Sequence, residues 1–143
     1  SAFALEQFKK LKNFSSIRKA NFLRLYNFFE KYKNWFELPQ QNPKVTTNWL
    51  AFLLTIKDGA PFSRLEIVTH LEKNDIQTRP IFTGNVLKQP AFKDIQCRAN
   101  KNGYPVADSI MRGGFVVGCH HGLGKQHLAY LTSVLEKFLS QYK

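Results

Sequence analysis

The sequence predicts an α+β fold, an α/β sandwich in which a small sheet of about three strands carries helices packed on one side. Three observations lead there. Residues 3–32 contain neither Pro nor Gly and repeat apolar side chains at helical spacing. Three short apolar runs, at residues 49–56, 76–82 and 115–119, are bounded by turn residues in the manner of strands. The chain then closes on a second apolar stripe of helical period.

Taken in order, residues 3–32 place Phe8, Leu11, Phe14, Ile17, Phe22, Leu25, Phe28, Phe29 and Tyr32 at mixed spacings of three and four. The expectation is one long helix with a bend at residues 13–16. At 1.5 Å per residue it would run ~45 Å, longer than a small core needs, and so reads as a connector reaching out of another domain. Residues 39–48 are polar and contain proline, a loop. Residues 49–56 form an apolar run closed by Asp58-Gly59, a buried strand. Pro61, at a first-turn position, starts a helix through Leu65, Ile67, Val68 and Leu71 that ends near Lys73-Asn74. Residues 76–82 give the second strand, residues 84–103 are loop-rich, and residues 106–112 form a short helix broken by Gly113-Gly114. The third strand is 115–119. Beyond Gly122-Leu123-Gly124, the positions Leu128, Leu131, Val134, Leu135, Phe138, Leu139 and Tyr142 line one face of a closing amphipathic helix.

Bulk properties bound the function. With 143 residues, 43% hydrophobic, and thirteen Phe, two Trp and five Tyr, there is material for one compact core. No run of apolar residues is long enough for a membrane helix and the first residues lack a signal-peptide pattern, so the expectation is a soluble, cytoplasmic protein. Cys97 and Cys119 stand far apart without CxxC spacing and read as free thiols. The net charge of +11, from 21 Lys and Arg against 10 Asp and Glu, attracts polyanions. A free-standing basic module binding nucleic acid is therefore one reading. Against it, the cations are dispersed and no RRM, KH or zinc-finger pattern appears. A phosphate-bearing ligand or an acidic partner domain accounts for the charge as well. Lys9, Lys10, Lys12, Arg18, Lys19 and Arg24 read as a solvated helix face.

Four stretches carry a family resemblance. Ala4-Leu5-Glu6-Gln7 continues through Leu11, Phe14, Arg18, Asn21 and Phe22; Trp49 and Phe52 follow on the first strand. Thr78-Arg79-Pro80-Ile81-Phe82-Thr83-Gly84-Asn85 leads to Gln89-Pro90-Ala91-Phe92, and Asp108-Ser109-Ile110-Met111 precedes a strand and then His121-Gly122-Leu123. In this order they resemble the DegT/StrS family of sugar aminotransferases, and within it the pyridoxamine-phosphate-dependent nucleotide-sugar 3-dehydrases of the CDP-4-keto-6-deoxyglucose type. Cys119-His120-His121 departs from the pattern, since relatives more often place an aromatic or apolar residue and a Pro ahead of Gly-Leu.

The resemblance implies the small C-terminal domain of a fold-type I transferase, spanning residues 1–143, with residues 1–33 a helix leading from a large domain that binds the cofactor. It implies an intact enzyme that uses pyridoxamine 5'-phosphate to remove the C3 hydroxyl of a nucleotide-linked 4-keto-6-deoxyhexose, in deoxysugar and lipopolysaccharide O-antigen synthesis. The family alternative is a pyridoxal-phosphate aminotransferase. The two differ by His or Lys at a cofactor position that the resemblance puts in the large domain. The residues holding the cofactor are implied to lie there too, as are the ligands of the iron-sulfur cluster that some of these dehydrases carry. The fragment alone would be inactive, its partners being its own large domain, the nucleotide-diphosphate sugar, a second copy of the intact enzyme and a reductase.

Several residues of this chain are candidates for contact with substrate. Arg79, before Pro80 at a strand end, suits an anion at the domain interface or a structural salt bridge. Gly84-Asn85 suits a backbone close to a ligand, with the Asn amide turned to sugar hydroxyls, or a plain turn. Gln89, in Gln89-Pro90-Ala91-Phe92, opens a docking loop for the cofactor domain or simply a turn anchored by an aromatic. Adjacent His120 and His121 would point to opposite faces of a continuing strand, and the resemblance favours His121 for proton transfer with His120 as a substrate contact. The alternative for either is a histidine bonded to backbone. Cys119, His121 and His127 are a conceivable metal set, although they lack a fourth ligand or a recognised spacing, so no metal is expected.

Overall fold

The computed structural model describes residues 2–143. Helix α1 spans Ala2–Phe29, strand β1 Phe36–Glu37, strand β2 Ala51–Ile56, helix α2 Arg64–Glu72, strand β3 Thr78–Pro80, helix α3 Pro105–Gly113, strand β4 Gly114–Gly118 and helix α4 Lys125–Leu139. The sheet order is β1-β2-β4-β3, and every neighbouring pair is antiparallel. The fold is α+β, as the periodicities predict, with four strands instead of three.

Helix α1 runs unbroken through residues 13–16, where a bend was expected, and the Ser15 hydroxyl returns to the Leu11 carbonyl at 2.8 Å. Its buried residues, Asn21, Phe22, Leu25 and Phe29, all fall in the C-terminal half. The N-terminal half is bare, with Phe3 78% and Phe8 70% exposed. At Phe29 the helix tightens into a 3-10 turn, Glu30–Tyr32, which brings the chain round to β1.

Strand β1 is the unexpected one. Two residues are too few to show a period of two, and it exists because Phe36, 1% exposed, pairs with Ile56 across the sheet while packing edge-on to Phe29. In β2 the alternation is clean: Phe52, Leu54 and Ile56 are buried and the residues between them are not. Phe115 and Val117 of β4 and Thr78 of β3 continue the buried face, and α1, α2 and α4 cover it. Aromatic pairs fasten the layers, Phe29 stacking on Phe52 at 5.5 Å and Phe22 on Trp49 at 4.4 Å. Each large side chain so buried stabilises the fold by about 1.5–3 kcal/mol. On the opposite face, Ala51, Leu53, Thr55, Val116 and Arg79 are half-buried or exposed.

Helix α2 begins later than Pro61. Its N-cap is Ser63, whose hydroxyl accepts from the Glu66 N–H at 3.3 Å while the Glu66 carboxylate accepts from the Ser63 N–H at 2.7 Å. Pro61 instead shapes the turn that seats Phe62 in the core. The expected strand at 76–82 contracts to three residues, because Asp75 enters it and Phe82 leaves it with positive φ, 57° and 45°. The third predicted strand is displaced by one residue to Gly114–Gly118, and the loop-rich stretch contains two 3-10 turns, Val86–Lys88 and Pro90–Phe92.

Candidate functional site

The segment that leaves β3 is built against α3. Gly84 has φ 64°, and a Cβ there would lie 2.4 Å from the Cβ of Met111, so only glycine lets the loop touch the helix. Next to it the buried Asn85 donates to an Asp108 carboxylate oxygen at 2.7 Å and accepts from the Leu87 N–H at 3.1 Å. Lys88 reaches the other Asp108 oxygen at 2.8 Å. The Lys88 ammonium, and after it the Asn85 amide, hold the Asp108 carboxyl below its usual range. Gln89 donates to the Thr83 carbonyl at 2.9 Å, closing the loop on itself. These bonds fix the amides of Asn85 and Gln89 as parts of the frame.

What the frame presents is Phe82. It is 93% exposed, with φ 45°, a conformation that costs a bulky residue about 1–3 kcal/mol. Beside it a shallow cleft of about 260 Å³ is lined by Arg64, Ile81, Thr83, Gln89 and Met111 among others. Arg64 braces this end by donating to the carbonyls of Met111 and Gly114 at 2.9 and 3.2 Å. Val86, Phe92, Ile95 and Val106 are also exposed apolar residues of this segment and of α3.

Arg79 lies opposite Val116, which in turn lies opposite Leu53, in one row across the less covered face. Among the described residues its guanidinium makes no hydrogen bond or ion pair. The Glu72 carboxylate is held low chiefly by the Thr78 N–H at 2.6 Å and hydroxyl at 2.8 Å, with Arg79 adding a smaller pull. A fork of N–H donors is thus free at a strand edge, a geometry suited to a phosphate or carboxylate.

The histidines are elsewhere. Strands β3 and β4 are antiparallel, so the chain beyond Pro80 lies at the start of β4 and the chain beyond Gly118 at its other end. Five residues of strand put roughly 16 Å between the two ends. Asn85 and Gln89 therefore share one end with Arg79 close by, while His120 and His121 occupy the other. Strand β4 stops at Gly118, and both histidines belong to the following turn. His121 stacks on Phe14 at 3.8 Å, and its Nδ1 accepts from Arg18 at 3.2 Å. Desolvation first, then the Arg18 cation and His120, push the imidazole below its ordinary pKa. Asn21 completes the clasp, donating to the carbonyls of His120 and Leu123, each at 3.0 Å.

The conceivable metal set does not assemble. Cys119 is fully buried in the core and its thiol is pushed up to about 11, chiefly by burial. The Nδ1 atoms of His120 and His127 accept from the Gly122 and Gly124 N–H groups at 3.1 and 3.0 Å. Among the described residues no group of three or more His, Cys, Asp or Glu stands close enough to hold a metal ion, and no helix is long and apolar enough to cross a membrane. Residues to which the sequence assigned no site role carry much of this order. Arg18, expected on a solvated helix face, is instead drawn to His121 and with Asn21 anchors the turn, while Asp108 and Lys88 anchor the loop. For Asn21 there was a signal, a carboxamide in line with an apolar helical stripe.

The comparisons with known proteins agree on one lineage. Residues 1–136 match the DegT/DnrJ/EryC1/StrS aminotransferase family. Among curated relatives, the lipopolysaccharide biosynthesis protein RfbH of Salmonella typhimurium is 33% identical over 138 residues, 96% of this chain and 31% of that protein. A GDP-4-keto-6-deoxy-D-mannose 3-dehydratase of Escherichia coli O55:H7 is 30% identical over 135 residues, 94% of this chain and 34% of that protein. The chain thus spans about a third of the length of the curated relatives it matches. A crystal structure of GDP-4-keto-6-deoxymannose-3-dehydratase with a trapped PLP-glutamate geminal diamine superposes with a TM-score of 0.73 at 30% identity, over 92% of this chain and 33% of that one. A crystal structure of S. venezuelae DesV, in complex with a ketimine intermediate, shares the fold at a TM-score of 0.77 and 16% identity, over 99% of this chain and 36% of that one. With nearly all of its length matched, and with solved members reproducing its fold, the chain belongs to the DegT/DnrJ/EryC1/StrS aminotransferase family.

Proposed function

We propose that this chain is the small C-terminal domain of a pyridoxamine 5'-phosphate-dependent dehydrase that removes the C3 hydroxyl of a nucleotide-diphosphate 4-keto-6-deoxyhexose in the cytoplasm. The observation that carries the reading is the welded loop from Phe82 to Gln89. It holds a strained, solvent-facing aromatic three residues after Arg79, which is unpaired among the described residues. Such a surface suits closure over a second domain with an anionic ligand between them. Support comes from the 3-dehydratases among the relatives, which are similar over 94% and 95% of this chain.

The chain's own residues do not form a seat for a pyridine phosphate. Among the described residues, the cleft of about 270 Å³ at Arg79 is lined by Arg64, Thr78, Pro80 and Phe115 among others, and its one aromatic, Phe115, is buried in the core and offers no face to a ring. In this reading the cofactor, which supplies an electron sink when bound, is held by the cofactor domain. This domain orients the sugar: Arg79 meets a phosphate or carboxylate, Phe82 covers the site against water, and Asn85 and Gln89 keep the loop in register. His121 holds α1 against the turn after β4. Neither Cys97, exposed, nor Cys119, buried, forms a cluster site.

The test is to read the gene on its 5' side and assay the product on a nucleotide-linked 4-keto-6-deoxyhexose. His at the cofactor position and loss of the C3 hydroxyl without an amino donor are expected. Lys there, with turnover only when an amino donor is supplied, would make the enzyme a pyridoxal-phosphate aminotransferase. A product without a cofactor domain would overturn both.

A further inference from the structure

At the opposite end of the sheet from the Phe82 loop lies a cleft of about 350 Å³ between the turn that enters β3 and the first turns of α4. Its floor is apolar, formed by Ile76, Leu123 and the buried Leu131. Its rim is polar, with Asp75 and Gln77 on one side and His120, His127 and Tyr130 on the other.

The hydrogen bonds around the rim decide what it offers. His120 and His127 each spend Nδ1 as an acceptor for a backbone N–H. In the neutral ring the proton then resides on Nε2, which makes each imidazole a donor toward a ligand and a poor metal ligand. The His120 ring lies over Gly118: a Cβ built there would stand 3.4 Å from its Cδ2 and 3.7 Å from its Nε2, ordinary van der Waals contact. Tyr130 donates its hydroxyl proton to the Asn74 carbonyl at 3.2 Å, so its oxygen remains an acceptor, and its ring is half exposed. Gln77 supplies both a donor and an acceptor, and Asp75 two acceptor oxygens.

These features narrow the ligand. No Lys or Arg lines the cleft and a carboxylate does, which opposes an anion. A purely apolar ligand would strand the donors and acceptors of the rim. A ring that carries hydroxyls round its edge and C–H groups on its faces matches both. We infer that this cleft binds a neutral saccharide of one or two rings, with hydroxyls between Asp75, Gln77 and the two imidazoles and one ring face against Tyr130. The volume is at the small end of ligand sites, in keeping with that size. The inference is independent of the role given to residues 79–92.

The test is an amide NMR titration of the 143-residue chain with the methyl α-glycosides of glucose and of fucose, and with inorganic phosphate for comparison. At least one glycoside is expected to shift the amides of Gln77, Gly118, His120 and Tyr130 saturably, with Kd on the order of 1 mM. Asp75→Asn keeps a residue that tolerates positive φ and removes only the charge. It should weaken that binding about fivefold or more, with an otherwise unchanged spectrum. The inference is overturned if neither glycoside shifts these amides, if phosphate saturates them instead, or if Asp75→Asn and Gln77→Ala leave the affinity unchanged.

Discussion

Asn21→Ala and Asn21→Asp separate a structural clasp from a passive contact. The Asn21 carboxamide is buried, 7% exposed, and both of its N–H bonds are spent on carbonyls of the turn after β4, His120 and Leu123, at 3.0 Å each. Ala removes both bonds and leaves two carbonyls with reduced access to water. At about 0.5–1.5 kcal/mol per bond the cost is about 1–3 kcal/mol. Asp keeps the shape but turns carboxylate oxygens toward the same two carbonyls, so it must cost more than Ala at neutral pH. Urea unfolding followed by far-UV circular dichroism resolves this. With a slope of about 2 kcal/mol per molar for a domain this size, Asn21→Ala should lower the midpoint by about 1 M, and Asn21→Asp should lower it further. If Asn21→Asp is as stable as Asn21→Ala, or if Ala costs less than about 0.5 kcal/mol, the turn is not held by this side chain and the clasp is a misreading.

Three further expectations follow from the same geometry. The His121 pKa is lowered in the fold, so the unfolded chain takes up the proton first; stability is complete above about 6.5 and declines as pH falls through the folded value. His121→Phe, which keeps the stack on Phe14, should flatten the slope of stability between neutral pH and the range where carboxylates begin to protonate, and an unchanged slope would remove His121 from the account. Gly84→Ala meets Met111 as well as a positive φ, whereas Gly59→Ala, at φ 89° with nothing within 4 Å, meets only the backbone cost. Thermal unfolding should show about 1 kcal/mol lost for the second and at least about 3 for the first, and equal losses would mean the loop is not welded to α3. In native protein at pH 8, iodoacetamide should add once, at the exposed Cys97, and leave the buried Cys119 with its raised thiol pKa untouched. Two adducts by intact mass, without unfolding, would contradict the packing of Cys119.

Helices were legible because their signal is long. The stripes of α1 and α4 repeat over several turns, and their apolar faces are the buried ones where the chain is covered at all. Strand β1 was not legible, since Phe36 is buried by a partner 20 residues away and not by any local pattern. The ends of β3 were misjudged because Phe82 reads as a strand residue while its backbone has turned out of the sheet. For the site, the motif Arg79 to Gln89 could be picked out from residue types, but the engagement of Asn85 with Asp108 spans 23 positions and depends on how α3 lies. Nor does linear order reveal that His121 and Asn85 belong to opposite ends of the sheet. That follows from the antiparallel register of β3 and β4 alone.

The two halves of α1 live in different thermodynamic circumstances. From Asn21 onward the helix is fastened by core contacts, so its amides open only with the domain. Before Phe14 nothing is buried, and a free helix of about a dozen residues is marginal in water. Amide hydrogen exchange should accordingly trace a gradient along a single continuous helix, slow at Leu25 and near the unprotected rate at Leu5. Whatever surface covers Phe3 and Phe8 would supply ordering free energy as well as contact, making the N-terminal turns of α1 a reporter of when that surface is engaged.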